Sequence, residues 1–384
     1  SNWTPNSVPD ATHGAIIPNT YTTPYAPTLP PSATCKSIQL NAGALLNAAT
    51  SGGTLTITGA NAAWNAETGA VFNANTSQVI FNADALTAGN TSITGTTGFY
   101  DVSIANGTLL RPASNSYTRI NGTLTIYGTL AAATNENTFE FTSNSSQNIP
   151  NPNGSTAGYH NLVLSGSGTK NLPATLNIVD KFINNTTDAG TVNAGSGTVL
   201  FNGNAIYDHV ISGTTSTTFN NVICDNPGHT ISVENNISIN GSLEITSGSI
   251  LDLKTNTLSG TLSSISGTGT IKTQNTGSTP IPASKTWTGL VDYNGTVAQT
   301  VVAGTYTDLT IENIAGATAG GDLTVNGILN LAVNNPGATK GLFDTDIYTL
   351  NMGAVNTLAS TTTGIGDVTG IVKRAHTFEG NTVY

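Results

Sequence analysis

Phe99-Tyr100-Asp101-Val102-Ser103-Ile104 returns as Tyr159-His160-Asn161-Leu162-Val163-Leu164, as Phe219-Asn220-Asn221-Val222-Ile223-Cys224 and as Tyr306-Thr307-Asp308-Leu309-Thr310-Ile311, at offsets of 60, 60 and 87 residues. A second column runs through Ile80-Phe81-Asn82, Glu140-Phe141-Thr142, Leu200-Phe201-Asn202 and Asp292-Tyr293-Asn294. A third, about 20 residues after the first, gives Ile120-Asn121-Gly122, Val179-Asp180-Lys181, Ile239-Asn240-Gly241 and Val325-Asn326-Gly327. Three columns that keep nearly one spacing define internal repeats, and a repeat decides the architecture before any single element does.

Four units therefore occupy residues 75–332, the third carrying roughly 30 extra residues near 246–285 that share the same texture of short strands and glycines. A solenoid absorbs such an insertion as whole added layers, because each coil touches only its neighbours, whereas a closed sandwich resists it. The expected fold is all-β: an elongated parallel β-solenoid built from repeats of about 60 residues, with tandem β-sandwich modules as the alternative. Each unit holds about six short strands, or three coils of ~20 residues, and at ~4.8 Å per coil the chain would extend on the order of 80 to 90 Å. Ahead of the units lie a Pro-rich lead-in at 1–34, with seven of the fifteen prolines in the first 31 residues, and first coils at 35–74; residues 333–384 form a C-terminal β segment. That segment stops at Asn381-Thr382-Val383-Tyr384 within a strand-like pattern, which suggests a piece of a longer polypeptide.

The strands read by alternation. Thr54-Leu55-Thr56-Ile57, Thr123-Leu124-Thr125-Ile126, Ser242-Leu243-Glu244-Ile245 and Asp322-Leu323-Thr324-Val325 each put two aliphatic side chains on one face and hydroxyl or acidic ones on the other. Leu124 and Ile126 are then interior, so Asp at either should be severe, and Thr123 or Thr125 to Ser nearly silent. The Asx residues Asp101, Asn161, Asn221 and Asp308 fall at corners, where a short polar side chain satisfies turn amides. Both aromatic columns, Phe99/Tyr159/Phe219/Tyr306 and Phe81/Phe141/Phe201/Tyr293, read as interior packing, with an exposed sugar-stacking platform as the alternative use of the rings.

Composition agrees. Only 8% of the residues are charged, against about 25% in an ordinary soluble domain, and Gly makes up 42 of 384. Long surface helices lack their usual residues here, while Thr, Asn and Gly favour strands and turns. A net charge of −10 with eleven scattered Lys and Arg argues against nucleic acid as a partner. No apolar run approaches the length of a membrane-spanning helix, so no direct membrane insertion is expected.

Candidate chemistry is sparse. Cys224 stands in the column of Ile104, Leu164 and Ile311 and reads as a small buried apolar residue. Cys35 and Cys224, 189 positions apart, do not decide a redox compartment. The histidines His13, His160, His209, His229 and His376 show no zinc spacing, and His160 shares its column with Tyr100, Asn220 and Thr307, the mark of a tolerant, exposed position. Asp344-Thr345-Asp346 is the closest acidic pair and reads as a solvated turn; Ser266-Gly267-Thr268-Gly269-Thr270 has no helix to receive a phosphate. Thr54-Leu55-Thr56 and Thr123-Leu124-Thr125 resemble ice-binding ladders, but Glu244 and Asp322 break the array. No catalytic, cofactor-binding or metal residue is assigned, and no enzyme activity is expected.

The opening Ser1-Asn2-Trp3-Thr4-Pro5-Asn6-Ser7-Val8-Pro9, with Ala15-Ile16-Ile17-Pro18, Cys35-Lys36-Ser37-Ile38-Gln39-Leu40, Gly53-Thr54-Leu55-Thr56-Ile57-Thr58-Gly59 and Gly366-Asp367-Val368-Thr369-Gly370-Ile371-Val372-Lys373-Arg374, resembles the very large repetitive surface proteins and adhesins of Bacteroidota. The resemblance implies β-helical stalks, export by the type IX secretion system with its outer-membrane machinery as a partner, an extracellular location on the cell surface, and a role in attachment or gliding. Surface glycans or other surface proteins would be the binding partners. The reading is thus a non-catalytic segment of a surface adhesin or filament; the alternative is a polysaccharide-binding or polysaccharide-cleaving β-helix.

Overall fold

A computed structural model describes residues 9–20, 26–83, 91–153, 157–187, 191–203, 206–333, 342–353 and 361–374. The last four residues of the chain, expected to lie in a strand, are outside the described residues. Among the described residues every regular element is a strand. Chain contacts separate two compact units, Ser1–Gly197 and Thr198–Tyr384.

In the first unit, Ser32–Cys35, Thr54–Ile57, Gln78–Phe81, Asp101–Ile104 and Leu124–Ile126 stack as one parallel ladder. A second ladder runs through Gly14–Ile17, Ser37–Leu40, Trp64–Ala66, Ile93–Phe99, Tyr117–Ile120, Thr138–Phe141, Tyr159–Gly166 and Thr175–Thr186. Gly14–Ile17 lies inside the Pro-rich stretch 1–34 and Ser32–Cys35 spans its end, so the stack already takes in part of that stretch. In the second unit the long ladder is His209–Gly213, Thr230–Val233, Ile250–Asp252, Thr270–Thr273, Lys285–Tyr293, Gly304–Ile311, Ile328–Leu331 and Thr361–Gly364. Each strand hydrogen-bonds to the one a full circuit later, 18 residues on for Gln299 and Ala317 and 33 for Ile328 and Thr361. Parallel neighbours reached only after such circuits are the coils of a β-solenoid; the hairpins of an antiparallel sandwich would pair adjacent strands instead. Ile250–Asp252 and Thr270–Thr273, within 246–285, enter the same ladder, adding circuits without disturbing those on either side.

The interior follows from alternation. Leu55, Ile57, Leu124, Leu243, Ile245, Leu323 and Val325 are buried, while Thr54, Thr56, Ser242, Glu244 and Thr324 keep partial access to water. Ile126 departs from this pattern and is only half-buried, because Leu124–Ile126 ends its five-stranded sheet and no further strand of that sheet covers it. All eight rings of the two aromatic columns are buried, which removes the sugar-platform alternative for them. Phe81 and Phe99 meet edge to face at 6.4 Å, as do Phe201 and Phe219, and Phe141 and Tyr159 at 6.0 Å; such contacts add to simple area burial.

The first and third sequence columns are two halves of one joint. Asp101 Oδ1 accepts the amide and hydroxyl of Thr123, each at 2.6 Å, and Asn221 Oδ1 accepts those of Ser242 at 2.9 and 3.0 Å. Asp308 Oδ1 accepts the Ile328 amide at 2.7 Å. Each acceptor thus reaches one circuit up, to the residue that follows the glycine of the third column. Those glycines donate backward, Gly122 to Tyr100 O, Gly241 to Asn220 O and Gly327 to Thr307 O. A Cβ on any of the three would overlap the Asx oxygen itself, so the joint demands Asx below and Gly above together. The exception supports this reading: Lys181 replaces the glycine opposite Asn161, whose amide donates downward to Asn137 O, and the ladder there shifts register between Tyr159 and Asn161.

Candidate functional site

The first unit changes cross-section between its third and fourth circuits. Trp64 pairs with Ile93 and Gln78 with Asp101, yet the lower circuit takes fourteen residues from Trp64 to Gln78 and the upper only eight from Ile93 to Asp101. The six extra residues build an additional strand, Val71–Asn73, which pairs below with Leu45–Asn47 and ends that two-stranded sheet. The strand above, Ile93–Phe99, cuts the corner instead. Val71 N donates to Ala44 O and Asn73 O accepts from Ala48 N, so in this parallel ladder the amide and carbonyl of Phe72 turn the other way, along the step.

A groove of about 560 Å³ lies on this step, within the size range of small-ligand sites. Its lower wall carries Asn47, Asn73 and Asn75, its upper wall Tyr100, Arg119, Asn121 and Thr142, and Phe72, Gly98 and Phe99 line it between. Trp64 props these rings from behind, at 5.1 Å from Phe72 and 4.9 Å from Phe99, with its Nε1 donating to Thr97 Oγ1 at 2.9 Å. Gly98 opens the middle, since a Cβ there would meet only Arg119 Cβ, at 4.0 Å.

The polar walls are ordered by bonds between circuits. Asn73 Nδ2 donates to Asn47 Oδ1 at 2.7 Å, Asn75 Nδ2 to Ala48 O at 3.0 Å, and Asn121 Nδ2 to Thr142 Oγ1 at 3.3 Å. Arg119 Nε donates to Glu140 Oε2 at 2.8 Å, and its guanidinium lies 4.7 Å from the centre of the Tyr117 ring. Ser165 Oγ donates to the other Glu140 oxygen at 2.7 Å. Burial, reinforced by the Glu140 charge, pushes the Tyr117 hydroxyl up to about 12, so it stays a donor at neutral pH. Among the described residues no Asp or Glu lines the groove.

The residues weighed in the sequence fall elsewhere. Cys35 and Cys224 are buried thiols, pushed up to about 12 by burial; Cys224 sits between Phe201 and Ile245 as an apolar side chain would. His160 is not exposed as its column suggested: it is 2% accessible, because its strand carries side chains buried on both faces, and burial lowers its pKa against the Asp180 carboxylate 4.0 Å away. Asp344 is buried and accepts the Asp346 amide at 3.1 Å and the Thr369 hydroxyl at 3.3 Å, a turn whose second acid alone is exposed. Among the described residues no group of three or more His, Cys, Asp or Glu is placed to hold a metal ion. Lys170, fully buried, donates from Nζ to Ser143 O at 2.7 Å and Gly168 O at 2.9 Å, and burial brings it down to about 8. It takes the interior place held one circuit earlier by Gln147, whose amide likewise donates to carbonyls, those of Ile120 and Gly122.

One ion pair makes the second unit sensitive to pH. Asp292 is buried, 3.4 Å from Lys272 Nζ, and burial raises its carboxyl to about 6 despite that cation, with Glu312 and Asp252 adding repulsion. A folded-state pKa above the ordinary 3.8 means that the folded chain binds the proton more tightly. The associated stability is present below the unfolded pKa and is lost as pH rises through about 6, by up to about 3 kcal/mol. Asp292→Asn should therefore raise Tm at pH 7.5 and leave it nearly unchanged at pH 4; a lower Tm at pH 7.5 would show the Lys272 pair to be net stabilising.

Comparison with family models, curated proteins and solved structures returned no match. The groove is thus read from its own chemistry. The sequence does not single it out: Tyr100 stands in the tolerant column of His160, Asn121 is read only as a member of the third column, and Asn47, Asn73 and Arg119 belong to no column.

Proposed function

We propose that this chain is a non-catalytic β-solenoid segment of a cell-surface adhesin or filament, a scaffold that carries attachment. The observation that supports it best is the Asx–Gly joint, which ties one circuit to the next through side chains chosen for stacking. Amide ladders on the exposed face have the same character: Asn193 Nδ2 donates to Asn171 Oδ1 at 2.9 Å and Asn171 Nδ2 to Asn148 Oδ1 at 3.0 Å, so in-register residues cohere where stacked like charges would repel. Export through the type IX secretion machinery, and a role in gliding, come from the family resemblance alone.

The test is direct. Antibodies raised against the purified chain should label intact cells of the source organism, and the purified chain should compete with those cells for attachment. Label that appears only after permeabilisation would overturn the surface assignment. Hydrolytic cleavage would use a pair of carboxylates flanking a bound sugar, and the described residues that line the groove supply amides, hydroxyls and Arg119 instead.

A further inference from the structure

We propose that the step in the first unit binds an extended neutral polysaccharide, laid along the stack across successive circuits. The proposal deepens the attachment reading by naming the class of ligand, and it rests on the groove's own geometry.

Four features point to this occupant. The first is direction and length. Thr28, Asn47, Asn73, Phe99, Asn121 and Thr142 lie on six consecutive circuits, so the groove runs across the strands for roughly 24 Å at about 4.8 Å per circuit. That repeat is comparable with the length of one pyranose unit, and a glycan would meet equivalent amides and hydroxyls at each residue. The second is the lining. Asn47, Asn73, Asn75, Asn121 and Thr142 supply paired donors and acceptors held in place by their neighbours, and the Phe72 amide and carbonyl add a backbone pair on the step.

The third is the apolar floor. Phe72, braced by Trp64, closes the bottom of the groove, while Gly98 leaves the depth for a sugar ring to enter. The fourth is charge. Arg119 is already committed to Glu140, so an acidic polymer finds no uncompensated cation. An extended peptide fits less well, since added strands run parallel to existing ones, whereas this groove crosses them and the edge strand Val71–Asn73 is three residues long.

Titration calorimetry of the purified chain tests this with cellohexaose and chitohexaose as neutral probes and a polygalacturonate hexamer as the acidic comparator. Saturable binding of at least one neutral hexamer is expected, weakened at least tenfold by Tyr100→Ala and by Asn73→Ala. Gly98→Val is the decisive variant: a Cβ at Gly98 meets only Arg119 Cβ, at 4.0 Å, and the residue lies in a strand, so the substitution fills the notch, and binding should be lost while the thermal transition stays cooperative. The proposal is overturned if neither neutral hexamer binds the folded chain, if the acidic hexamer binds more tightly, or if Gly98→Val and Tyr100→Ala leave binding intact. A negative result here leaves antibody labelling of intact cells free to succeed, so the two readings fail separately.

Discussion

Leu243→Asp is expected to abolish the cooperative thermal transition of the second unit near neutral pH. Leu243 is completely buried, stacked between Val222 below and Ile265 above, so its replacement puts a carboxylate into an interior walled by aliphatic side chains. Neither neighbour can pair with it, and lost packing adds to the penalty for a buried charge. The sum exceeds about 4 kcal/mol, a large share of the stability of any single domain. Glu244→Gln, one residue on, points outward and should move Tm by little. Ile126→Asp in the first unit should also be milder than its place in the alternation suggests, because no further strand of its sheet lies above it. The check is thermal melting followed by circular dichroism: a Leu243→Asp variant that melts like Glu244→Gln would contradict the assigned faces.

The second large effect concerns the joint. Gly241→Ala places a methyl group onto Asn221 Oδ1, and with Asn220 O close by as well the circuit above must lift or the Asn side chain must leave. Either response breaks the bonds to the Ser242 amide and hydroxyl, at a cost of about 2 to 3 kcal/mol. Asn221→Ala alone loses the same bonds without overlap. The double variant Asn221→Ala/Gly241→Ala should therefore be less unstable than the two single effects added together, because the collision disappears with the side chain. Strict additivity in chemical denaturation would show that the two columns act independently. Lys181→Gly, at the position where the first unit lacks the glycine, should bring no comparable gain, since Asn161 already donates downward to Asn137.

The recurrence of Phe99-Tyr100-Asp101 and its relatives, together with strict alternation at Leu55/Ile57 and Leu243/Ile245, was enough to reach a parallel stack of coils with its rings inside. These are properties of period and of one face against the other, and a strand's two faces are written into consecutive residues. The joint was half legible: both columns were visible, but nothing in their spacing says that the Asx of one accepts from the residue after the glycine of the other until the circuits are paired. His160 was misread for a related reason. Column membership reports what a position tolerates across circuits, while its burial depends on what packs over that strand, here on both faces at once.

The groove marks the boundary between the two kinds of information. Sequence alone determined that this chain folds as stacked β circuits, because periodicity and alternation are local and survive any rearrangement of the loops. Only the tertiary structure decided where a ligand could lie. The step exists because Trp64 to Gln78 and Ile93 to Asp101 span the same corner with different lengths, and that comparison has no meaning until hydrogen bonding has matched Trp64 with Ile93. Once register is set, six surplus residues must go outward as an extra strand, and the recess above them draws Asn73, Tyr100 and Arg119 to one place.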